Sequence, residues 1–448
     1  MKLDNPFKPD LNRFHVFNFQ NKYLMLDIGN TCLYELSEEA YVAYNLWVEK
    51  DILPSDEILE QLNVLFLSTV VEDDKIMAEK LERDLPKQRL LWLGVTHNCN
   101  LRCSYCFVDL EQNVKQNMDF ATAQKGIDKL IVDSGDQREL SIIFFGGEPL
   151  MRMNLLSEVV AYCHTKESQC NKIFRFNVTT NGMLLTPEVF QKLEELHIDV
   201  MVSLDGDQEA HDRLRKTKTG NPSWNHIIKN LERIPNFGKK IAVRITITSE
   251  SPDYLKIYKT VEQLGFETIF MTEVCPGPQR SERLRENIDI LKENYLKLME
   301  YLFEKAITQG NVALSKLQRF LDALYEGHKT YYGCATGLNG YYLAPDGTYF
   351  PCNRMITSDM RFKIGDINLG FDPSIQKLFI KNHIFNRSCK ECWARYLCGG
   401  QCYADSFWFT NDIADPDPFA CEMIRFKIMC AAFFLSRLRE CKESISSA

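Results

Sequence analysis

Apolar and polar positions alternate with a period of two in Phe14-His-Val-Phe-Asn-Phe19, break at Asn21-Lys22, and resume in Tyr23-Leu-Met-Leu-Asp27. A second break at Gly29-Asn30 leads into Thr31-Cys-Leu-Tyr-Glu35, so this stretch predicts a small antiparallel meander with tight polar turns. Ser37-Glu-Glu-Ala40 then opens a helix with serine as its N-cap, running through Ala43 and Leu46. Further helices are predicted from Ser55 to about Leu65 and from Asp73 to Leu81. Three short strands and three helices make residues 1–85 a compact winged-helix-like unit.

From Arg89 the rhythm becomes strand, loop, helix. Predicted strands are Leu90–Val95, Leu140–Phe145, Ile173–Thr179, Val200–Leu204, Ala242–Thr248 and Thr268–Glu273. They are mostly apolar and β-branched, as strands covered on both faces are. Helical patterns lie between them, at Asp119–Val132, Leu155–Glu167, Pro187–Leu196 and Pro252–Leu264. A repeat of roughly 35 residues is a βα unit, and right-handed βα units build a parallel sheet or barrel. About six units predict a partial (β/α)6 TIM-like barrel, an α/β fold short of the eight-fold one. In such sheets ligands sit at the C-terminal strand ends. Four motifs fall on that one rim: a cysteine triplet, Gly146-Gly147, Thr180-Asn181 and Ser203–Asp205. A charged helical region follows Pro276, from about Arg280 to His328, and the final third reads as loop-rich and cysteine-rich.

The triplet is His97-Asn-Cys-Asn-Leu-Arg-Cys-Ser-Tyr-Cys-Phe107, with Cys99, Cys103 and Cys106 on the loop after the first barrel strand. Structural zinc and ordinary cubane iron–sulfur sites take four protein ligands. A loop with three thiolates leaves one metal position open, which is where substrate or cofactor binds at catalytic metals. The alternative is a zinc knuckle completed by a distant ligand such as His97. The chain holds 16 cysteines among 448 residues. In a reducing compartment clustered cysteines point to metal rather than to disulfides. Cys32, Cys163, Cys170, Cys275, Cys430 and Cys441 are scattered and read as small buried hydrophobes. The net charge of -8 argues against a nucleic-acid partner. The N-terminal MKLDNPFKPD lacks a signal-peptide pattern, and no apolar run reaches membrane-span length, so no membrane and a cytoplasmic location are expected.

Cys-x3-Cys-x-aromatic-Cys, with Tyr105 as the aromatic, resembles the signature of radical S-adenosylmethionine (radical SAM) enzymes. The resemblance implies a [4Fe–4S] cluster on Cys99, Cys103 and Cys106, with SAM on the open iron and a 5′-deoxyadenosyl radical from its reductive cleavage. Phe144-Phe-Gly-Gly-Glu-Pro149 resembles the family's GGEP element, which implies that Gly146, Gly147 and Glu148 meet the methionyl amine; by itself the run is an ordinary strand-ending turn. Thr180-Asn181-Gly182 resembles the ribose-contacting segment. Ser203-Leu-Asp205-Gly206 with His211-Asp212-x2-Arg215 resembles a fourth-strand element in which Ser203 and Arg215 reach SAM. Arg244 interrupts an apolar strand, and a buried arginine needs an anion, either the SAM carboxylate or a structural ion pair.

Cys334-x17-Cys352, Cys389-x2-Cys392-x5-Cys398-x3-Cys402 and Cys421 resemble the SPASM extension of peptide-modifying radical SAM enzymes. By that resemblance Cys389, Cys392, Cys398 and Cys421 hold one auxiliary [4Fe–4S] cluster, and Cys334, Cys352 and Cys402 hold the other, three clusters in all. Two fully ligated cubanes need eight cysteines and seven are present. The second auxiliary cluster is therefore expected to keep an open iron for a substrate thiolate, unless Cys275 folds back as an eighth ligand. On spacing alone the C-terminal set fits two zinc sites as well.

The run from Cys389 to Cys402 is similar to maturases that form thioether crosslinks in ribosomally made peptides (the SCIFF or ranthipeptide group) and to the maturase of quinohemoprotein amine dehydrogenase. The division implied is 1–85 as a leader-peptide recognition module, 86–310 as a radical SAM partial barrel and 311–448 as a SPASM domain. The module would take an extended leader as an added strand. The function implied is sulfur-to-carbon thioether formation in a precursor peptide, with a flavodoxin or ferredoxin as electron donor. The rivals are another radical peptide modification (carbon–carbon crosslinking, epimerisation or formylglycine formation) and a non-catalytic zinc-stabilised peptide-binding scaffold. No catalytic acid or base is assigned; Asp205, Glu273 and Asp346 are conceivable.

Overall fold

The computed structural model describes residues 13–67, 73–84, 86–107, 117–274, 283–310, 313–356 and 361–446. Cys275 lies outside them. Near the start of the chain, β1 (Phe14–Phe19), β2 (Lys22–Asp27) and β3 (Cys32–Leu36) form the predicted antiparallel meander. Gln20 and Asn21 turn between β1 and β2 with φ of 52° and 63°, the left-handed pair that matches strand twist in a two-residue hairpin. The helix Glu38–Lys50 starts where Ser37 accepts the Ala40 N–H at 3.1 Å, and helices Asp56–Leu67 and Asp74–Arg83 follow.

All six predicted barrel strands form, with bounds within two residues of the sequence reading: β4 (Leu90–Thr96), then β6 (Glu139–Gly146), β7 (Ile173–Thr180), β8 (Ile198–Ser203), β10 (Ile241–Ile247) and β11 (Ile269–Glu273). They pair in parallel in that order. β5 (Leu101–Cys103) and β9 (Arg215–Thr217) form a separate two-stranded antiparallel ribbon on the rim. Along each barrel strand the residues packed under the helices, such as Leu91 and Leu93, Ile142 and Phe144, or Val243 and Ile245, are fully or nearly fully buried. The alternate residues face an open lumen. In adjacent strands Ser203 and Arg244 are register partners and share that lumen face.

Two features depart from the sequence reading. β12 (Gly340–Leu343) joins β4 in parallel and carries β13 (Thr348–Phe350), β14 (Gly365–Asp366) and β15 (Gly370–Phe371) with it, so the C-terminal segment extends the barrel sheet. Gly94 permits this, because a Cβ there would overlap the Tyr342 ring. The final third is also less loop-rich than expected: it ends in one helix, Pro418–Ser446, of 29 residues. Asp417 opens it by accepting the N–H groups of Phe419 and Ala420. The helix packs on helices Ile288–Gln309 and Ser315–Glu326 and reaches β1 and β2. Among the described residues no helix is long and apolar enough to cross a membrane.

Candidate functional site

The loop after β4 and the loop after β6 are built into one another. Gly147 donates its N–H to the Thr96 carbonyl at 2.7 Å, and Glu148 donates to that of Asn98 at 2.8 Å. A Cβ on Gly147 would overlap the Asn98 carbonyl, and one on Gly146, at φ 133°, would overlap that of Thr96. Both glycines thus serve close approach of the two loops. The Glu148 carboxylate is fully buried and accepts from Leu150 N (3.0 Å), Thr180 Oγ1 (2.8 Å) and Asn181 N (2.8 Å). It ties the ends of β6 and β7 together. Asn181 in turn donates to Asn100 Oδ1 at 2.7 Å and to Cys99 Sγ at 3.5 Å. Gly146, Gly147, Glu148, Thr180 and Asn181 therefore all meet the cysteine loop directly or through one residue.

Cys99, Cys103 and Cys106 lie within electrostatic reach of one another. Burial pushes the Cys103 thiol up to about 12, and Arg215 opposes that. Arg215 is Cys103's cross-strand partner in the β5–β9 ribbon. Its guanidinium is nearly buried, donates to Tyr105 Oη at 2.5 Å, and lies 3.4 Å from Asp205, which also accepts the Tyr105 hydroxyl. Asp205 spends its other oxygen on Thr246 N at 2.8 Å. The middle aromatic of the cysteine motif is thus pinned by a buried cation and a carboxylate from the fourth-strand element. Both Asp205 oxygens accept hydrogen bonds, and the Arg215 Nε is buried with no acceptor among the described residues. That donor, a cation beside three thiols, and the Asn181 amide at Cys99 fit a thiolate-bound cluster, since a nearby cation favours the thiolate that binds metal. His97 turns away from the triplet, its Nε2 lying 3.3 Å from the Tyr342 hydroxyl. Arg244, read from the sequence as buried, is instead exposed on the lumen face of β10; partial desolvation there and then repulsion from Arg354 draw its pKa below the usual value.

His211 supports this network from behind. Its Nδ1 accepts the Asp205 N–H at 3.2 Å, so the proton sits on Nε2, 3.0 Å from Ser223 Oγ, which itself donates to the Arg215 carbonyl at 2.5 Å. Burial first, and Arg215 second, hold His211 down to about 2. The folded protein then binds fewer protons than the unfolded chain between about 2 and the ordinary value of 6.5. The His211 contribution to stability is complete above 6.5 and is lost as pH falls through that window, by up to about 1.4 kcal/mol per pH unit. His211→Gln is expected to flatten that acid slope in denaturant melts between pH 6.5 and 5; an unchanged slope would show that the imidazole is not buried neutral.

Two further thiol groups lie beyond the rim. Cys389, Cys392, Cys398 and Cys421 line one cavity. Gly399, Gly400 and Gln401 take φ of 73°, 94° and 71° in succession, which turns the N–H groups of Gly400 and Gln401 onto the Cys398 sulfur. The Gln401 side chain donates to Cys421 Sγ at 2.8 Å. Burial raises Cys389 to about 11 and Cys421 to about 12. Four half-buried thiols on one cavity, two of them met by N–H donors, fit a fully ligated cluster. Cys334, Cys352 and Cys402 form the second group, within electrostatic reach of one another. Arg354 donates to Cys402 Sγ at 3.4 Å and pairs with Asp405 at 2.5 Å. Cys334 is exposed, and with Cys402 and Cys398 it lines a second cavity. Among the described residues this group has three thiols, which fits a cluster with one open position. No three His, Cys, Asp or Glu side chains among the described residues converge tightly enough for a single metal ion.

Glu273, which the sequence offered only as a conceivable acid or base, also lines that cavity, and so does Lys427, which the sequence did not mark. Glu273, at the end of β11, accepts from Lys427 on the C-terminal helix and from the Tyr254 hydroxyl. An ionisable residue at a barrel-strand end was the available signal for Glu273. Nothing in the sequence marked Lys427 as its partner.

A model of the radical SAM superfamily matches residues 93–264. An uncharacterized protein of Methanocaldococcus jannaschii is 32% identical over 212 residues, 47% of this chain and 71% of that protein. The cysteine-type anaerobic sulfatase-maturating enzyme of Clostridium perfringens is 25% identical over 71% of this chain and 89% of its own length. The radical SAM cyclopropyl synthase TigE of Paramaledivibacter caminithermalis is 24% identical over 95% and 94%. Among solved structures, native anSMEcpe with bound AdoMet and Cp18Cys peptide shares the fold with a TM-score of 0.66 at 18% identity, over 79% of this chain and 99% of that one.

Proposed function

This chain belongs to the radical SAM superfamily, and on that premise we propose that it forms sulfur-to-carbon thioether crosslinks in a ribosomally made precursor peptide. It is a radical SAM enzyme related to sulfatase and peptide maturases. The cluster on Cys99, Cys103 and Cys106, with SAM bound, would supply the 5′-deoxyadenosyl radical that takes hydrogen from the peptide. Gly146, Gly147, Glu148, Thr180 and Asn181 shape the floor on which the methionyl and ribose parts rest. Ser203 and Arg244 face the lumen, where the guanidinium holds a carboxylate. Arg215 holds the cysteine loop through Tyr105.

The observation that carries the thioether reading is the three-thiol group of Cys334, Cys352 and Cys402, of which Cys334 and Cys402 line the cavity beside the Arg354 cation. A peptide thiolate is the ligand such a site takes, and the cation favours its deprotonated form. Cys389, Cys392, Cys398 and Cys421 hold the four-thiol auxiliary cluster, within a SPASM domain over 311–448. Residues 1–85 hold the leader, residues 86–310 form the barrel, and a flavodoxin or ferredoxin in the cytoplasm supplies electrons. The bound peptide of the solved neighbour supports a peptide substrate.

Anaerobic purification is expected to give about twelve irons per chain, and reductant with SAM to give 5′-deoxyadenosine without peptide. A cysteine-bearing precursor is then expected to lose one hydrogen pair per crosslink, together with one alkylatable thiol. Zinc in place of iron, with SAM left intact, would overturn the radical reading. Loss of hydrogen with every thiol still alkylatable would overturn the thioether alone.

A further inference from the structure

The β5–β9 ribbon carries the Cys103–Arg215 pair on its inner face. Its outer face carries Arg102 and Lys216, both exposed and directly opposite one another. Like charges directly opposite on a two-stranded ribbon are destabilising, so this pair does not serve to hold the two strands together. Lys218 follows, exposed, with its N–H on the Asn100 carbonyl at 3.1 Å. No carboxylate among the described residues forms an ion pair with Arg102, Lys216 or Lys218; the other ion pairs nearby belong to Arg213 and Arg215. Arg102 also folds its guanidinium onto the loop, donating to the carbonyls of Cys99 (3.1 Å) and Leu101 (2.9 Å). A cationic strip with no carboxylate paired to it among the described residues thus lies one strand-thickness from Cys103, on a chain whose net charge is -8.

We propose that the outer face of this ribbon is the docking surface for a small acidic one-electron carrier protein. The proposal rests on the radical reading above, which needs one external electron per SAM cleavage. An acidic carrier is repelled by the chain as a whole and drawn to this strip, so the local charge both steers and selects it. At contact the carrier is oxidised by one electron; the group reduced would be the [4Fe–4S] cluster that Cys99, Cys103 and Cys106 would hold behind the ribbon, and no bond forms or breaks at the surface. Arg102 is tied into the cysteine loop, so Lys216 and Lys218 are the positions to test.

In Lys216→Glu/Lys218→Glu, 5′-deoxyadenosine formation driven by a purified flavodoxin hydroquinone is expected to fall about tenfold at low ionic strength. The gap to the parent closes as salt rises, and the dithionite-driven rate and iron content stay at parent values. Fluorescence titration with oxidised flavodoxin is expected to show weaker binding by the same variant, and Lys216→Gln/Lys218→Gln an intermediate loss. Unchanged flavodoxin-driven rates in both variants would overturn the proposal. So would a matching loss of the dithionite rate, or slowed peptide turnover with flavodoxin-driven SAM cleavage intact, which would assign the strip to the peptide. If the parent itself makes no 5′-deoxyadenosine with dithionite, the radical reading has failed, and the docking proposal falls with it.

Discussion

Arg215→Met is expected to cost about 3–5 kcal/mol of stability, the range for removing one partner of a buried ion pair, and to lower the iron retained per chain. Arg215 is 7% exposed and Asp205 1%. Without the guanidinium, Asp205 keeps the Tyr105 hydroxyl and the Thr246 N–H but loses its only ion pair among the described residues. Tyr105 loses the donor at 2.5 Å. Cys103 and Cys106 flank that tyrosine, so the loop that must present three thiols loses its anchor. Arg215→Lys does not rescue it, because a single ammonium does not reproduce the guanidinium's fixed fork. Equilibrium urea unfolding and iron content after anaerobic reconstitution measure the two effects. Loss of under about 1 kcal/mol with full iron would show that the network is solvated and the loop self-supporting.

This network also marks where the sequence stopped being informative. The six parallel strands were legible because each is a short apolar β-branched run, and the thiol groups because their spacing is local. The Tyr105–Asp205–Arg215 contact joins residues whose pairing only the fold creates, so the resemblance placed Arg215 among the SAM contacts without its grip on the loop. β12 was missed because Gly340-Tyr-Tyr-Leu343 is too short to stand out and is ordered by β4 beside it. The C-terminal helix was missed for a different reason. It is buried on several sides, against two helices and the N-terminal sheet, so no single apolar stripe repeats along it. Its local signal was there: Asp417-Pro418 is a capping residue followed by a first-turn proline.

That helix carries the second large effect. Lys427→Met is expected to destabilise by about 3–5 kcal/mol, because it strands the Glu273 carboxylate. The lysine side chain is 3% exposed and the glutamate 13%. Lys427 also lies 5.5 Å and 5.1 Å from the ring centroids of Tyr254 and Tyr295. Burial alone would raise Glu273; Lys427 foremost, then Lys316, overcomes it and holds the carboxyl at about 2. Desolvation outweighs the attraction on the lysine's side and lowers it to about 8. Glu273 therefore contributes stability that is present above its ordinary 4.5 and lost as pH falls through about 2. Lys427 is a cost at neutral pH, relieved as pH rises from about 8 towards 10.5. A buried pair with both signs of cost is not kept for stability alone. Here it fixes the C-terminal helix to the last barrel strand at the wall of the cavity that Cys334 and Cys402 open into. Lys427→Met/Glu273→Gln is accordingly expected to recover most of the lost stability, with its unfolding free energy no longer falling below pH 4.5 on Glu273's account. Urea melts of the two single variants and the double variant, taken from pH 3 to 9, measure this. A double variant as unstable as Lys427→Met would show that the lysine acts through packing on Tyr254 and Tyr295 and not through its charge.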